Sequence, residues 1–233
     1  MQRRMVKLML ALTIVASAAL GMQAQSAATP YVKMAPVAKY MMANRSAEIA
    51  LARSAAPASI SAKAEVMVLG KNGYEVAVPG SNHYVCLVER SWDAPIGAPG
   101  YWNFNIRGPD CLNAAAAKSY LPILLLKTRL ALSGKSQAQI AQDVQAAFQQ
   151  KKLPAMEPGA LCYMLSKGGY LDDQAKNWHP HLMFIQPLAM SQSWGANLPG
   201  SPVLASDDAS DHLTIFMVPV AHWSDGSPDS ARK

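Results

Sequence analysis

The chain has 233 residues, with 21 Lys and Arg against 15 Asp and Glu, so it carries a formal net charge of +6. The cations are scattered and no aromatic residues interleave with them, which excludes the concentrated electrostatic footprint of a nucleic-acid-binding protein. The length suits one sizeable domain or two small ones, and no repeat or charge-rich linker forces a division.

Arg3, Arg4 and Lys7 precede an apolar run over residues 8–20, and small residues follow over 21–28. This is the layout of a secretory signal peptide, assigned to residues 1–24, with cleavage after Ala24 or Ser26. Thr13 and Ser17 break the run, which falls short of the roughly 20 apolar residues that span a bilayer. No Cys stands near the junction to carry a lipid. Loss of the leader removes three cations and no acids, leaving a formal charge of +3. The expected location is the periplasm or the exterior, where disulfides persist and chemistry based on reduced thiols does not. The only later strongly apolar stretch, residues 120–132, contains Pro122, Lys127 and Arg129, which suits a core helix better than a lipid-facing one. No stable membrane insertion is expected after cleavage.

Residues 25–57 form a lead-in segment and a helix. Asn44 or Ser46 can cap that helix, Glu48 lies in its first turn, and Pro57 stops it. From Ala64 the period shortens. AEVMVLG, YEVAVPG and HYVCLVERSW, separated by Lys71-Asn72-Gly73 and Ser81-Asn82, read as a three-stranded meander. Residues 93–110, rich in Pro and Gly, should be a loop lying over the sheet. Asn113 then caps a helix that Pro122 kinks or divides and Gly134 ends. Ser136 and Gln139 form a capping box for a further helix with Ile140, Val144 and Phe148 on one face. Strand-like runs at 160–165, 181–186 and 213–220 complete an α+β domain over residues 58–223. Its sheet is expected to be mainly antiparallel, with a central helical pair packed on one face. Residues 224–233 are expected to be a flexible tail.

Several phrases together carry a resemblance: PGSNHYVC, GPDC before a helix, GALCYML, HPHLMF and TIFMVPVA. The chain resembles a group of exported bacterial proteins of unknown function over roughly residues 55–221. In that group a Gly-x-Asn and a nearby Cys close an early hairpin, a second Cys opens a helix, and Pro-His leads a late strand. Gly80, Asn82, Cys86, Cys111, the run from Tyr163 to Leu165, and Pro180-His181 match those features. The group often carries a His before the terminal Met-x-Pro-Val; Ile215 stands there in this chain, flanked by His212 and His222. The resemblance implies an architecture and an address, and no activity.

Among chemically capable residues, Cys86 and Cys111 are the strongest pair. Closing their loop would restrict the unfolded chain by about 3.5 kcal/mol. Two other pairings and the reduced form remain open at this level. Cys162 then reads as a small buried hydrophobe. His179, His181 and Met183 would project to one face of a strand and could meet copper or zinc, with Asp172, Asp173, Met164 or His212 as further ligands by availability. Pro180 weakens that geometry, and a hydrogen-bonded His181 beside a wet His179 is the plainer reading. Gly168 and Gly169 can form an anion-cradling turn or an ordinary one. Ser206 to Asp211 reads as a solvated loop. Trp178, Trp194 and Trp223 can line an apolar pocket or fill the core.

The reading is a single exported domain acting as a non-catalytic binding or interaction protein, with no required cofactor. Its partner would be a small molecule or an envelope protein, met by loops that include Gly168, Gly169, Asp172, Trp178 and Trp194. The rivals are a metal-dependent or hydrolytic enzyme centred on His181 and a structural envelope protein.

Overall fold

The computed structural model describes residues 31–230. The expected leader over residues 1–24 lies outside the described residues, as do residues 231–233.

Asn44 caps the first helix, α1 (Arg45–Arg53), by accepting from the Ala47 N–H at 2.7 Å. The helix ends before Pro57, which instead opens the single turn α2 (Ala58–Ser61). Strands β1 (Glu65–Gly70) and β2 (Gly73–Val78) form the expected hairpin, closed by the pairing of Gly70 with Gly73. Gly73 has φ +136°, open only to glycine.

Strand β3 (Val85–Glu89) does not continue a meander. It lies on the far side of β1 and pairs with it in parallel over Glu65/Val85 and Val66/Cys86. The crossing is dictated by the Gly80 to Asn82 corner. Ser81 N–H donates to the Lys63 carbonyl at 2.8 Å and Asn82 Nδ2 to the Ile60 carbonyl at 2.8 Å, which ties the crossover beneath the start of β1. Gly80 passes so close that a Cβ there would stand 2.1 Å from the Glu65 nitrogen. Burial agrees with this order. The continuous apolar run of β3 is covered on both faces, while β2 is half exposed at the sheet edge.

The remaining strands are β4 (Gly108–Leu112), β5 (Leu161–Met164), β6 (His181–Pro187), β7 (Leu204–Asp208) and β8 (Leu213–Pro219). One eight-stranded sheet results, in the order β2-β1-β3-β4-β5-β6-β8-β7, antiparallel except between β1 and β3. The α+β expectation with a mainly antiparallel sheet holds.

The expected helical pair is three helices. Pro122 sits in the first turn of α4 (Leu121–Leu132), where its missing N–H costs nothing, and Tyr120 separates α4 from α3 (Ala114–Ser119). The capping box of Ser136 and Gln139 opens α5 (Gln137–Gln149). Helices occupy both faces rather than one. Ala52, Ala55 and Ala56 cover Val66, Cys86, Val88 and Cys111, whereas Leu121, Leu124, Ile140 and Val144 share a core with Met67, Leu69, Leu87 and Leu112. Alternation along the strands explains this, since neighbouring residues of a doubly buried strand face opposite sides.

The disulfide Cys86–Cys111 is formed. Cys111 lies inside β4, directly opposite Cys86 in the ladder, rather than at a loop-to-helix junction. Residues 224–230 do not trail as a free tail. Ser224 N–H donates to the Leu165 carbonyl at 2.9 Å, Asp229 N–H to the Ala221 carbonyl at 2.9 Å, and the Asp229 side chain is buried. No described helix is long and apolar enough to cross a membrane.

Candidate functional site

Helix α3 packs over β4 and β5, α4 packs toward edge strand β2, and α5 lies against α4. The sheet face carrying Glu89, Met164, Met183 and Ile215 is therefore roofed by loops instead of helix. Residues 94–100 come from one side and residues 171–175 from the other, enclosing a cavity of about 690 Å³. The two loops are tied together where Asn103 Nδ2 donates to Asp173 Oδ1 at 3.0 Å. Tyr170 OH donates to the same oxygen at 2.7 Å, and that hydrogen bond leads those holding the Asp173 carboxyl below its ordinary range. The expectation of a loop lying over the sheet at 93–110 holds for residues 94–107, whereas Asp93 ends a 3₁₀ turn and Gly108 to Asp110 belong to β4; Asp172 of the expected binding loops lines the cavity.

The walls are apolar, from Ile106, Tyr120, Met164, Leu171, Met183 and Ile215. One end is acidic. Glu89 closes β3, and the following 3₁₀ turn (Ser91–Asp93) brings Ser91 and Asp93 to the same cavity. Asp93 Oδ2 accepts from the Arg90 N–H at 2.9 Å. Glu89 Oε1, Ser91 Oγ and Asp93 Oδ1 are buried with no partner. Behind Glu89, Asp110 is fully buried on the same sheet face, because Leu87 pairs with Asp110 and Glu89 with Gly108. Glu89 and Cys162 neighbour Asp110, whose Oδ1 and Oδ2 are likewise buried with no hydrogen-bond partner.

The electrostatics follow from burial without counter-charge. Desolvation first, then the neighbouring Asp110 and Asp93, pushes the Glu89 carboxyl well above the carboxylate range. Desolvation also carries Asp93 and Asp110 up to about 7. The same burial raises the Cys162 thiol and the Tyr120 phenol far above their ordinary values. The nearby cations are already committed. Arg90 pairs with Glu48 at 2.7 Å and donates to the carbonyls of Tyr40 and Val88. Lys127, fully buried, pairs with Asp211 at 2.6 Å and donates to the carbonyls of Asp93 and Ala94 at 3.1 and 3.0 Å. The segment expected to be a solvated loop at 206–211 is therefore partly interior: Asp208 ends β7 and Asp211 is 3% exposed.

The histidine cluster has a different surrounding. His179 precedes β6, and its Nδ1 is paired with Asp229 Oδ2 at 2.6 Å. His181 is buried, hydrogen-bonds through Nδ1 to the His179 carbonyl at 2.7 Å, and meets Trp178 edge-on. Burial pushes its imidazole below the usual value, so the ring stays neutral and its Nδ1–H donates. Neither imidazole lines the cavity that Met183 faces. Among the described residues no group of three or more His, Cys, Asp or Glu is arranged to hold a metal ion. His212 is turned to Gln145, at 2.7 Å, and stacks on Phe148.

Gly168 and Gly169 are sites of close packing. A Cβ at Gly168 would stand 2.9 Å from Leu51, and one at Gly169 would stand 2.9 Å from Asn177. Trp194 stacks on Phe216 with centroids 4.3 Å apart, covering the sheet face opposite the cavity, so the tryptophans do not converge on one pocket. Sequence reasoning singled out neither Glu89, Ser91, Asp93 nor Asp110. The available signal was an acid within each of two strands otherwise free of charge, Glu89 after VCLV at the end of β3 and Asp110 at the centre of GPDCL in β4.

Two other depressions exist, one of about 560 Å³ along α1 and the β1–β2 turn and one of about 870 Å³ beside residues 32–37. Neither is lined by an unpartnered buried polar atom. Comparison with protein families, curated proteins and solved structures found no match to this chain.

Proposed function

We propose that this chain is an exported, non-catalytic binding domain that takes a small, mainly apolar molecule into the cavity beneath residues 94–100 and 171–175. The leader-like N-terminal sequence and the disulfide support a periplasmic or extracellular address. The observation that carries the binding reading is the make-up of the cavity. About 690 Å³ of space is walled by apolar side chains, and three unpartnered acceptors are gathered at one end. That combination of apolar body and a few orienting polar groups is the usual composition of a ligand pocket. The tie between Asn103 and Asp173 joins its two roofing loops and gives entry a place to open.

A hydrolytic or metal-dependent role centred on His181 draws less support. The ring is buried against Trp178, hydrogen-bonded to backbone, and outside the cavity.

The test is thermal-shift screening of the secreted protein with amines, alcohols and carboxylates on common apolar skeletons. Each stabilising compound is then tested on Ala175→Trp, which fills the mouth from an exposed position. Stabilisation that vanishes in Ala175→Trp supports the reading. A screen in which no compound stabilises the wild-type protein, or in which Ala175→Trp responds like the wild type, overturns it.

A further inference from the structure

We infer that the cavity selects molecules bearing a primary ammonium group, received by Glu89, Ser91 and Asp93; this rests on the binding reading above. The first observation is the set of acceptors. Glu89 Oε1, Ser91 Oγ and Asp93 Oδ1 have no hydrogen-bond partner, all three residues line the cavity, and Ser91 and Asp93 are only 2% and 6% exposed. A primary ammonium carries three N–H donors and no acceptor, matching three vacant acceptors.

The second observation is charge. Arg90 is consumed by Glu48 and two carbonyls, and Lys127 by Asp211 and two carbonyls. Glu89, Asp93 and the supporting Asp110 are left as three buried acids without a counter-ion. Buried carboxyls in that position hold protons unless a cation arrives. A bound ammonium supplies the missing charge, and one carboxyl proton leaves to solvent. An anionic ligand meets like charge on carboxyl ionisation, and a neutral alcohol brings one O–H donor and no charge.

The third observation is the remainder of the pocket. Met164, Met183, Ile215, Ile106 and Leu171 wall the space with apolar side chains, while Asn103, Asp172, Asp173 and Gln174 stand on the loops that roof it, so a ligand body that is mainly alkyl or aryl fits the wall. Methionine at two of these positions adapts to different shapes, which favours a class of skeletons over one compound.

The experiment is titration calorimetry on the disulfide-bonded protein with a panel of alkyl- and arylamines, each paired with the alcohol of the same skeleton. Amines should bind at least roughly tenfold more tightly than their alcohols. Their heats should depend on the ionisation enthalpy of the buffer, because a proton is released. Asp93→Asn and Glu89→Gln should each reduce the preference, while Trp194→Ala on the opposite face should leave it unchanged. Alcohols binding as tightly as amines, both sensitive to Ala175→Trp, would overturn the ammonium inference and leave the cavity reading standing. Binding of neither, or binding insensitive to Ala175→Trp, would overturn both. The amine-to-alcohol comparison needs only the wild-type chain, so a variant that fails to fold does not remove the test.

Discussion

Glu48 Oε1 accepts from the Arg90 guanidinium at 2.7 Å and from the Leu69 backbone N–H at 3.1 Å. The parallel ladder between β1 and β3 stops after Val66/Cys86, and this ion pair stands in the gap that follows. Arg90 also donates to the Val88 carbonyl on the β3 side, so the pair satisfies backbone groups of both strands where the sheet splays. Arg90→Ala should destabilise the protein by about 3–5 kcal/mol, because the buried Glu48 carboxylate loses its counter-charge and the Tyr40 carbonyl its side-chain donor, while Leu69 N–H and Tyr74 OH still serve Glu48 and Val88. Chemical denaturation measures this, and a loss below about 1 kcal/mol would contradict the bridging role.

Lys127 is the interior counter-ion of Asp211. Lys127→Met keeps the apolar stem of α4 and removes the charge, so a penalty of about 3–5 kcal/mol is expected near neutral pH. Desolvation already raises the Asp211 carboxyl, and protonation relieves the uncompensated charge. The penalty should therefore be smaller at about pH 5 than at about pH 8. Equal penalties at both would show that Asp211 is not the group left unpaired.

The acidic end of the cavity fixes the pH dependence of stability. Asp93 and Asp110 have folded values of about 7, above those of an unfolded chain, and Glu89 is displaced in the same direction. Between roughly pH 4 and pH 7 the folded protein binds more protons than the unfolded one, so stability falls as pH rises. Each fully displaced group contributes up to about 1.4 kcal/mol per pH unit in that window. Asp110→Asn should flatten the slope, as read from melting temperatures across the window. Arg90 and Lys127 on α4 oppose the shift of Asp93, and Cys162 on β5 opposes that of Asp110. A melting temperature that climbs from pH 5 to pH 7 would contradict this ionisation pattern.

Cys86–Cys111 joins two strands already adjacent, and the remaining thiol, Cys162, is buried. Reduction should cost about 2–4 kcal/mol. Under non-reducing conditions the native protein should leave Cys162 unmodified by a thiol reagent, and unfolding should expose it. Rapid native labelling would show that the wall of β5 opens.

Gly80→Ala should destabilise by at least about 2 kcal/mol, because its Cβ would collide with the Glu65 backbone, which cannot move without breaking β1. A variant as stable as wild type in a denaturant titration would contradict the tight corner.

Local chemistry in the sequence was enough for the caps at Asn113 and Ser136 and the glycine hairpin between β1 and β2; it narrowed the first cap to Asn44 or Ser46, marked a kink or division at Pro122, and made Cys86–Cys111 the strongest of the possible pairs, choices that the structure decides for Asn44, the division and that disulfide. Each depends on residues whose own backbone or bonding demands a particular setting. Strand order was not legible, because alternation reveals which residues share a face and not which strand lies beside β1; the contacts of Gly80 and Asn82 decided that. The acidic end of the cavity was hidden for the same reason. Glu89, Asp93 and Asp110 look like ordinary strand-end and loop acids until the sheet brings them together and the roofing loops take away water. Burial and the prior commitment of Arg90 and Lys127, both products of tertiary packing, turn three separate carboxyls into one site.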